Sequence, residues 1–199
     1  MSKASTVDER RARILEAAIE VLARDGIAET TTRKIAAEAE VNQAMLRYYF
    51  GSKDELLFAV LQEMMRQTRE VVQQAMPEGE ALREMLLEGL LGFWTHFEAR
   101  PELQVMQYEL TLYALRNPAS AWLARQQYDG YCAVVEALLN EGFASAGKSS
   151  AVPLAELARF IVGGIDGLIL QFISNRDSAR ARRDLENLAN AAIALAQVN

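Results

Sequence analysis

TTTRKIAAEAEVNQAMLRYYFGSKDE, residues 30–55, reads as two short helices joined by a three-residue bend. Thr32 is placed to cap the first helix, and Ile35, Ala36 and Ala39 give it an apolar edge. Glu40-Val41-Asn42 breaks the period, and Asn42 is suited to cap a second helix opening at Gln43. That second helix has one apolar stripe, Leu46 and Phe50, four residues apart, so Gln43, Arg47 and Tyr48 point away from it. Two short helices in this layout form a helix-turn-helix.

The major groove of B-form DNA admits one α-helix and shows a distinct donor and acceptor pattern for each base pair. Arg47 can place two donors on guanine O6 and N7, and Gln43 can meet adenine N6 and N7, each pair discriminating by about 1–3 kcal/mol. A phosphate contact is the rival role for Arg47, and an exposed arginine on a short helix is by itself often only a solvated charge. Tyr48 and Tyr49 have ordinary core packing as their alternative, Tyr49 more than Tyr48. Arg10, Arg11 and Arg13 upstream are equally suited to solvent and to the DNA backbone.

Thr31-Thr32-Arg33-Lys34-Ile35-Ala36, Val41, Leu46-Arg47-Tyr48-Tyr49-Phe50 and Lys53-Asp54-Glu55-Leu56-Leu57 together resemble the N-terminal DNA-binding domain of the TetR (tetracycline repressor) family. The resemblance covers residues 8–60. It implies that Arg33 and Gln43 read bases and that Thr32, Asn42, Tyr48, Tyr49 and Lys53 hold phosphates, fixing register without reading sequence. Two positions depart from the family pattern. Glu40 stands where glycine is usual, which puts a non-glycine residue at positive φ; Arg47 stands where many members have tyrosine, so its base-reading role rests on its own chemistry.

Composition fits this reading. The chain has 199 residues, 51% apolar, enough for a sizeable core in one or two domains. Its net charge of −6 looks unsuited to DNA until the charge is located. Residues 1–60 carry nine basic against ten acidic side chains, and the remaining 139 carry twelve against seventeen. The acidic excess therefore lies mostly outside the reading region. One cysteine, Cys132, excludes an internal disulfide and a cysteine-rich zinc site and suits a reducing cytoplasm. A single histidine, His96, excludes a multi-histidine metal centre; no metal or other cofactor is expected. MSKASTVDERRAR has no apolar core of a signal peptide, and the run from Phe160 to Ile173 is interrupted by Asp166 and Gln171 and is short for a bilayer span. The expectation is a soluble cytoplasmic protein without a membrane partner.

The pattern predicts an all-α chain of about nine helices: an N-terminal three-helix helix-turn-helix DNA-binding domain over 1–52, and a helical ligand-binding and dimerisation domain over 53–199. Thr6 and Glu9 suggest a capping box for helix 1, which Gly26 and Ile27 close in Schellman style. Helix 4, residues 53–75, connects the domains, with Leu56, Val60, Met64 and Val71 among its apolar positions and Pro77 to Gly79 as its stop. Further helices are expected over 80–99, 101–116, 118–146, 153–175 and 177–197, each opening at or near a proline or an acidic residue.

The second domain is assigned to ligand and dimer by resemblance. Phe93, Trp94, Phe97, Met106, Tyr113 and Tyr128 suit a cavity for a flat or greasy small molecule, each with an ordinary core position as its alternative. Glu109 and Asp166 lie among apolar neighbours and need partners: a cationic or donor ligand, an arginine or a helix end. For a homodimer, Gly163, Gly164 and Gly167 lie among Phe160, Ile165 and Leu168, and each helical glycine costs about 1 kcal/mol against alanine. Close approach of another helix would offset that, and Leu185, Leu188, Ala192 and Leu195 supply a second ridge. The alternative is that the glycines admit a ligand or a helix of the same chain.

The expected function is a dimeric, ligand-released repressor on a near-palindromic operator, repression being the family default. An enzyme is unsupported: G-x-S-x-G, H-E-x-x-H, P-loop and dinucleotide fingerprints are all missing. The rival is a helical protein-interaction module without DNA binding, favoured by Glu40 and the acidic balance.

Overall fold

The computed structural model describes residues 3–77 and 81–198, with side chains from Asp8 onward. Among the described residues there are nine α-helices, one 3-10 turn and no strand. The helices are α1 (Lys3–Glu29), α2 (Thr32–Glu38), α3 (Gln43–Phe50), α4 (Lys53–Ala75), α5 (Leu82–Ala99), α6 (Pro101–Arg116), α7 (Ala121–Ser145), α8 (Leu154–Asn175) and α9 (Ser178–Ala196); the 3-10 turn is Pro118–Ser120. Helix α1 begins ahead of the expected Thr6 start, and the Thr6 side chain lies outside the described residues. So do Gly79 and Glu80, the latter expected to open the fifth helix.

The chain forms two compact units that are not divided at residue 52. The first holds residues 3–64 together with Arg100–Gln127; the second holds Met65–Ala99 and Tyr128 onward. α4 and α7 each contribute residues to both units. Helix α6, expected with the C-terminal helices, is thus a neighbour of α1.

In the first unit, α1 buries Ile14, Ala18, Val21 and Leu22, the period anticipated from sequence, and packs on α2 and α6. Its helical geometry breaks at Gly26, φ 74° and ψ 168°, a conformation that only glycine adopts readily. Leu56, Leu57, Val60 and Leu61 of α4 and Met106, Leu110 and Ala114 of α6 complete the core. Arg100, at the start of α6, donates to both oxygens of Glu20 on α1, at 2.8 and 3.0 Å.

In the second unit α9 packs on α5 and α8. Leu185, Leu188 and Ala192 are buried there against their own chain, so this stripe is not the free ridge that the sequence suggested. Glycines set the closest helix approach. A Cβ at Gly92 of α5 would lie 2.3 Å from the Cβ of Ala75, and one at Gly130 of α7 would lie 2.5 Å from the sulfur of Met65. Helix α8, 22 residues long with an 18-residue stretch of mean hydropathy 1.5, is long and apolar enough to cross a membrane by length and composition, which the shorter run Phe160–Ile173 did not suggest. It packs its buried face, Leu157, Ile161, Ile169 and Phe172, within this unit.

Candidate nucleic-acid interface

Capping geometry builds the reading head from local chemistry. Thr31, not Thr32, is the N-cap of α2: its backbone is extended and its hydroxyl accepts from the Lys34 N–H at 3.2 Å. Thr32 becomes the first helical residue. One residue of displacement follows from backbone conformation, which three consecutive threonines do not distinguish in sequence. Asn42 caps α3 as anticipated, its side-chain oxygen accepting from the Met45 N–H at 3.0 Å. Between the helices Glu40 takes φ 54°, and Val41 N–H donates to Ala36 O at 2.9 Å, closing the turn that glycine would otherwise make.

α3 turns Leu46 and Phe50 inward and leaves Gln43, Ala44, Arg47 and Tyr48 in solvent. Tyr48 is 80% exposed, so it is not a core aromatic; Tyr49 is half-buried with its ring edge-on to Tyr48 at 5.2 Å. Gln43 Nε2 donates to Thr32 Oγ1 at 3.3 Å, linking the two helices across their turn. Arg33 and Arg47 are exposed and enter no ion pair among the described residues. The cations on the neighbouring flank are committed. Arg24 pairs with Asp25 and Glu38, at 2.9 and 3.0 Å, and Lys34 with Asp25 at 2.9 Å. Those hydrogen bonds, Lys34 first and Arg24 second, hold the Asp25 carboxyl below its usual pKa. Sequence reading passed over this cluster, whose only local signal was an acidic residue beside Gly26. Of the three arm arginines, all exposed, Arg11 lies over the Phe50 ring at 5.2 Å.

The Lys53 ammonium, expected on a phosphate, turns in this structure to backbone carbonyls. Lys53 is half-buried, and its ammonium donates to Thr30 O at 3.0 Å and Ile27 O at 3.4 Å, over the ring of Tyr113 at 5.8 Å. Burial, opposed by the Asp54 carboxylate, pulls its pKa below the usual lysine value. Glu109, whose partner sequence could not name, accepts from the Ile27 N–H at 3.0 Å. Tyr113 donates to Asp54 Oδ1 at 3.2 Å and Ser120 to Asp54 Oδ2 at 2.6 Å.

The residues expected to line one ligand cavity fall in both units. Met106, Glu109 and Tyr113 belong to the first unit, while Phe93, Trp94, Phe97, Tyr128 and Asp166 belong to the second. Met106 is core, 1% exposed. Trp94 and Phe97 form a buried cluster with Phe172, ring centroids 5.0 to 5.6 Å apart. Within it the Trp94 indole N–H is buried without a hydrogen-bond partner among the described residues. Phe93 is half-buried. Tyr128, partly exposed, hydrogen-bonds Asp166, and burial together with that carboxylate raises its pKa to about 12.

Of the residues expected in a dimer interface, Gly164 and Leu188 meet each other inside one chain: a Cβ on Gly164 would lie 2.5 Å from Leu188 Cδ1. Ile165 and Leu168 are half-buried, and Phe160 and Leu195 are exposed. Gly163 and Gly167 have open space where a side chain would stand, with Phe160 and Leu170 exposed on the same face of α8.

Comparison with known proteins agrees with the fold and the reading head. Residues 14–60 match the family model for bacterial regulatory proteins of the tetR family, and residues 78–195 match the tetracyclin repressor-like C-terminal domain. The chain is similar to the HTH-type nicotine-responsive transcriptional repressor HdnoR of Paenarthrobacter nicotinovorans, 30% identical over 94% of this chain and 95% of the relative. A TetR-family regulator from Rhodococcus sp. shares the fold with a TM-score of 0.76 at 22% identity, covering 95% of this chain and 99% of that one. The multidrug binding protein EbrR, solved with imidazole, superposes with a TM-score of 0.61 at 30% identity, over 90% of this chain and 94% of that one. The chain belongs to the TetR family of helix-turn-helix transcription regulators.

Proposed function

We propose that this sequence-specific DNA-binding regulator acts as a dimeric repressor: each α3 enters a major groove of a near-palindromic operator, and a small organic effector releases it. The carrying observation is the exposed face of α3, where Gln43 and Arg47, which enters no ion pair among the described residues, stand opposite the buried Leu46 and Phe50. In this reading Arg33, Gln43 and Arg47 read bases, and Thr32, Asn42, Tyr48 and Tyr49 position the head on phosphates. Lys53 holds the head together instead. A two-fold dimer places successive reading helices about 34–36 Å apart or a multiple of it. The rival of a module without DNA binding drew on Glu40, and that residue closes the turn at positive φ.

For the second copy, the face of α8 bearing Phe160, Gly163, Gly167 and Leu170 offers small residues at one-turn spacing, open to solvent and flanked by apolar side chains. Gly163→Leu and Gly167→Leu are expected to leave monomers in sedimentation velocity; variants that remain dimeric would refute this face.

For the effector, a relative named as nicotine-responsive and a structural neighbour named as multidrug binding support a small organic molecule. The Tyr128–Asp166 pair in the second unit favours a basic one, and an acceptor on the ligand would meet the Trp94 indole N–H. Linkage requires such a ligand to bind the released form more tightly, typically by about 1–3 kcal/mol. As a DNA-bound regulator it would act in the cytoplasm.

The test is duplex selection with the purified chain, followed by fluorescence anisotropy across a salt series. Specific binding with a steep salt slope is expected. Arg47→Ala and Gln43→Ala should each lose about 1–3 kcal/mol of discrimination at one base position. Unchanged binding by both variants would sink the reading-helix assignment.

A further inference from the structure

The last turn of α1, beyond its break at Gly26, and the link to α2 make an elbow, residues 26–31, whose backbone polar groups are served largely by side chains from distant helices. At Gly26 the chain leaves helical geometry, so the next amide loses its partner in α1. That amide, Ile27 N–H, donates to Glu109 Oε2 of α6 at 3.0 Å. The Ile27 and Thr30 carbonyls accept from the Lys53 ammonium of α4, at 3.4 and 3.0 Å. Gly26 O accepts from the hydroxyl of Thr30, a residue 1% exposed, at 2.7 Å. The next residue, Thr31, is the cap on which α2 starts.

Neither distal side chain stands alone. Helix α6 is tied to α1 through Arg100 and Glu20, and to the first turn of α4 through Tyr113 and Asp54. The Tyr113 ring also lies beneath the Lys53 ammonium. A side chain at Gly26 would be strained, because φ is positive, and its Cβ, 2.9 Å from Glu109 Oε2, would push that carboxylate aside.

We propose that Glu109 and Lys53 are positioning residues for operator recognition, forming a two-sided clamp on the α1–α2 elbow that fixes the direction in which α2, and through its turn α3, leaves α1. The proposal rests on α3 being the reading helix. It assigns the Lys53 ammonium to the elbow carbonyls in place of a phosphate, and it gives Glu109 a role opposite to what its charge alone would suggest near DNA. A carboxylate repels phosphate, so its plain removal should strengthen binding. As a clamp, its removal weakens specific binding only.

Full-length Glu109→Ala, Glu109→Gln and Lys53→Met are measured by anisotropy on a selected duplex and on an unrelated one, from low to high salt, beside Arg47→Ala and Gln43→Ala. Glu109→Ala and Lys53→Met are expected to bind the selected site about tenfold more weakly, the scale of one charge-assisted hydrogen bond. Their affinity for the unrelated duplex and their salt slopes should stay at wild-type values. Glu109→Gln, whose amide oxygen still accepts from Ile27 N–H, should recover most of the loss. If Glu109→Ala does not fold by circular dichroism, Glu109→Asp, which withdraws the carboxylate by one methylene, replaces it. Glu109→Ala binding both duplexes as well as or better than wild type overturns the clamp. So does Lys53→Met weakening both duplexes alike with a salt slope reduced by about 0.9, the mark of one lost phosphate contact. Arg47→Ala and Gln43→Ala indistinguishable from wild type on the selected duplex would overturn the reading helix, and the clamp with it.

Discussion

Replacing Gly92 and Gly163 by alanine, one at a time, should move stability in opposite directions, although both glycines lie inside helices of the second unit. A Cβ at Gly92 falls 2.3 Å from the Cβ of Ala75 on α4, against an ordinary carbon contact of about 3.5–4.0 Å. Ala75 has no torsion that could move its Cβ aside, so α4 and α5 must separate by roughly an ångström or more. Overpacking of this kind costs about 1–3 kcal/mol, an overlap of more than an ångström between two atoms that cannot rotate away falling in the upper part of that range, about 2–3 kcal/mol, and the helix propensity gained over glycine returns about 1 kcal/mol. The net expectation for Gly92→Ala is a loss of about 1–2 kcal/mol. A Cβ at Gly163 meets nothing within 4 Å in its own chain, so the protomer gains about 1 kcal/mol. Urea unfolding followed by circular dichroism, at several protein concentrations extrapolated to the dilute limit, separates protomer stability from association. With m of about 2 kcal/mol/M, the midpoint should fall by roughly 0.5–1 M for Gly92→Ala and rise by about 0.5 M for Gly163→Ala. A Gly92→Ala protein as stable as wild type would refute the close approach of α4 and α5 and the reasoning built on it.

Two further expectations concern the caps and a titration. Thr31→Ala and Asn42→Ala should each cost about 1 kcal/mol in thermal unfolding, because each side chain accepts from an otherwise unpaired helix N–H. Thr32→Ala should cost distinctly less, and the reverse order would return the cap to Thr32. Tyr128 should ionise near 12, where an unperturbed tyrosine ionises near 10. Because the folded pKa is raised, its contribution to stability is whole below pH 10 and is lost as pH climbs through 12. Tyrosinate absorbance of wild type minus Tyr128→Phe reads the step directly, and a step near 10 would dissociate Tyr128 from Asp166.

Much of the reading head was legible because its determinants are local. A cap, a turn residue and a stripe at i and i+4 all act within one or two helical turns, so Asn42, Glu40 and the Leu46–Phe50 face can be read without knowing what surrounds them. The misplacement at Thr31 shows the grain of that reading: residue type fixes that a cap exists, and backbone conformation selects which of three threonines serves. The second half was less legible. Its glycines and aromatics signal close packing, but the same residue types serve a core, a ligand and a partner chain. Gly164 faces Leu188 of its own chain while Gly163, one residue earlier and 100° around the helix, faces open space.

Sequence by itself determined the helices, the Asn42 cap, the exposed Gln43 and Arg47 and, through the quoted motif, the family. Only the tertiary structure decided that Glu109 holds an amide 82 residues away, that Lys53 turns inward to carbonyls 23 and 26 residues back, and that α6 packs beside α1. The physical reason is range. A helix is specified by interactions among residues up to four apart, whereas a buried charge declares in sequence only that it needs a partner, and the fold chooses which distant group that partner is.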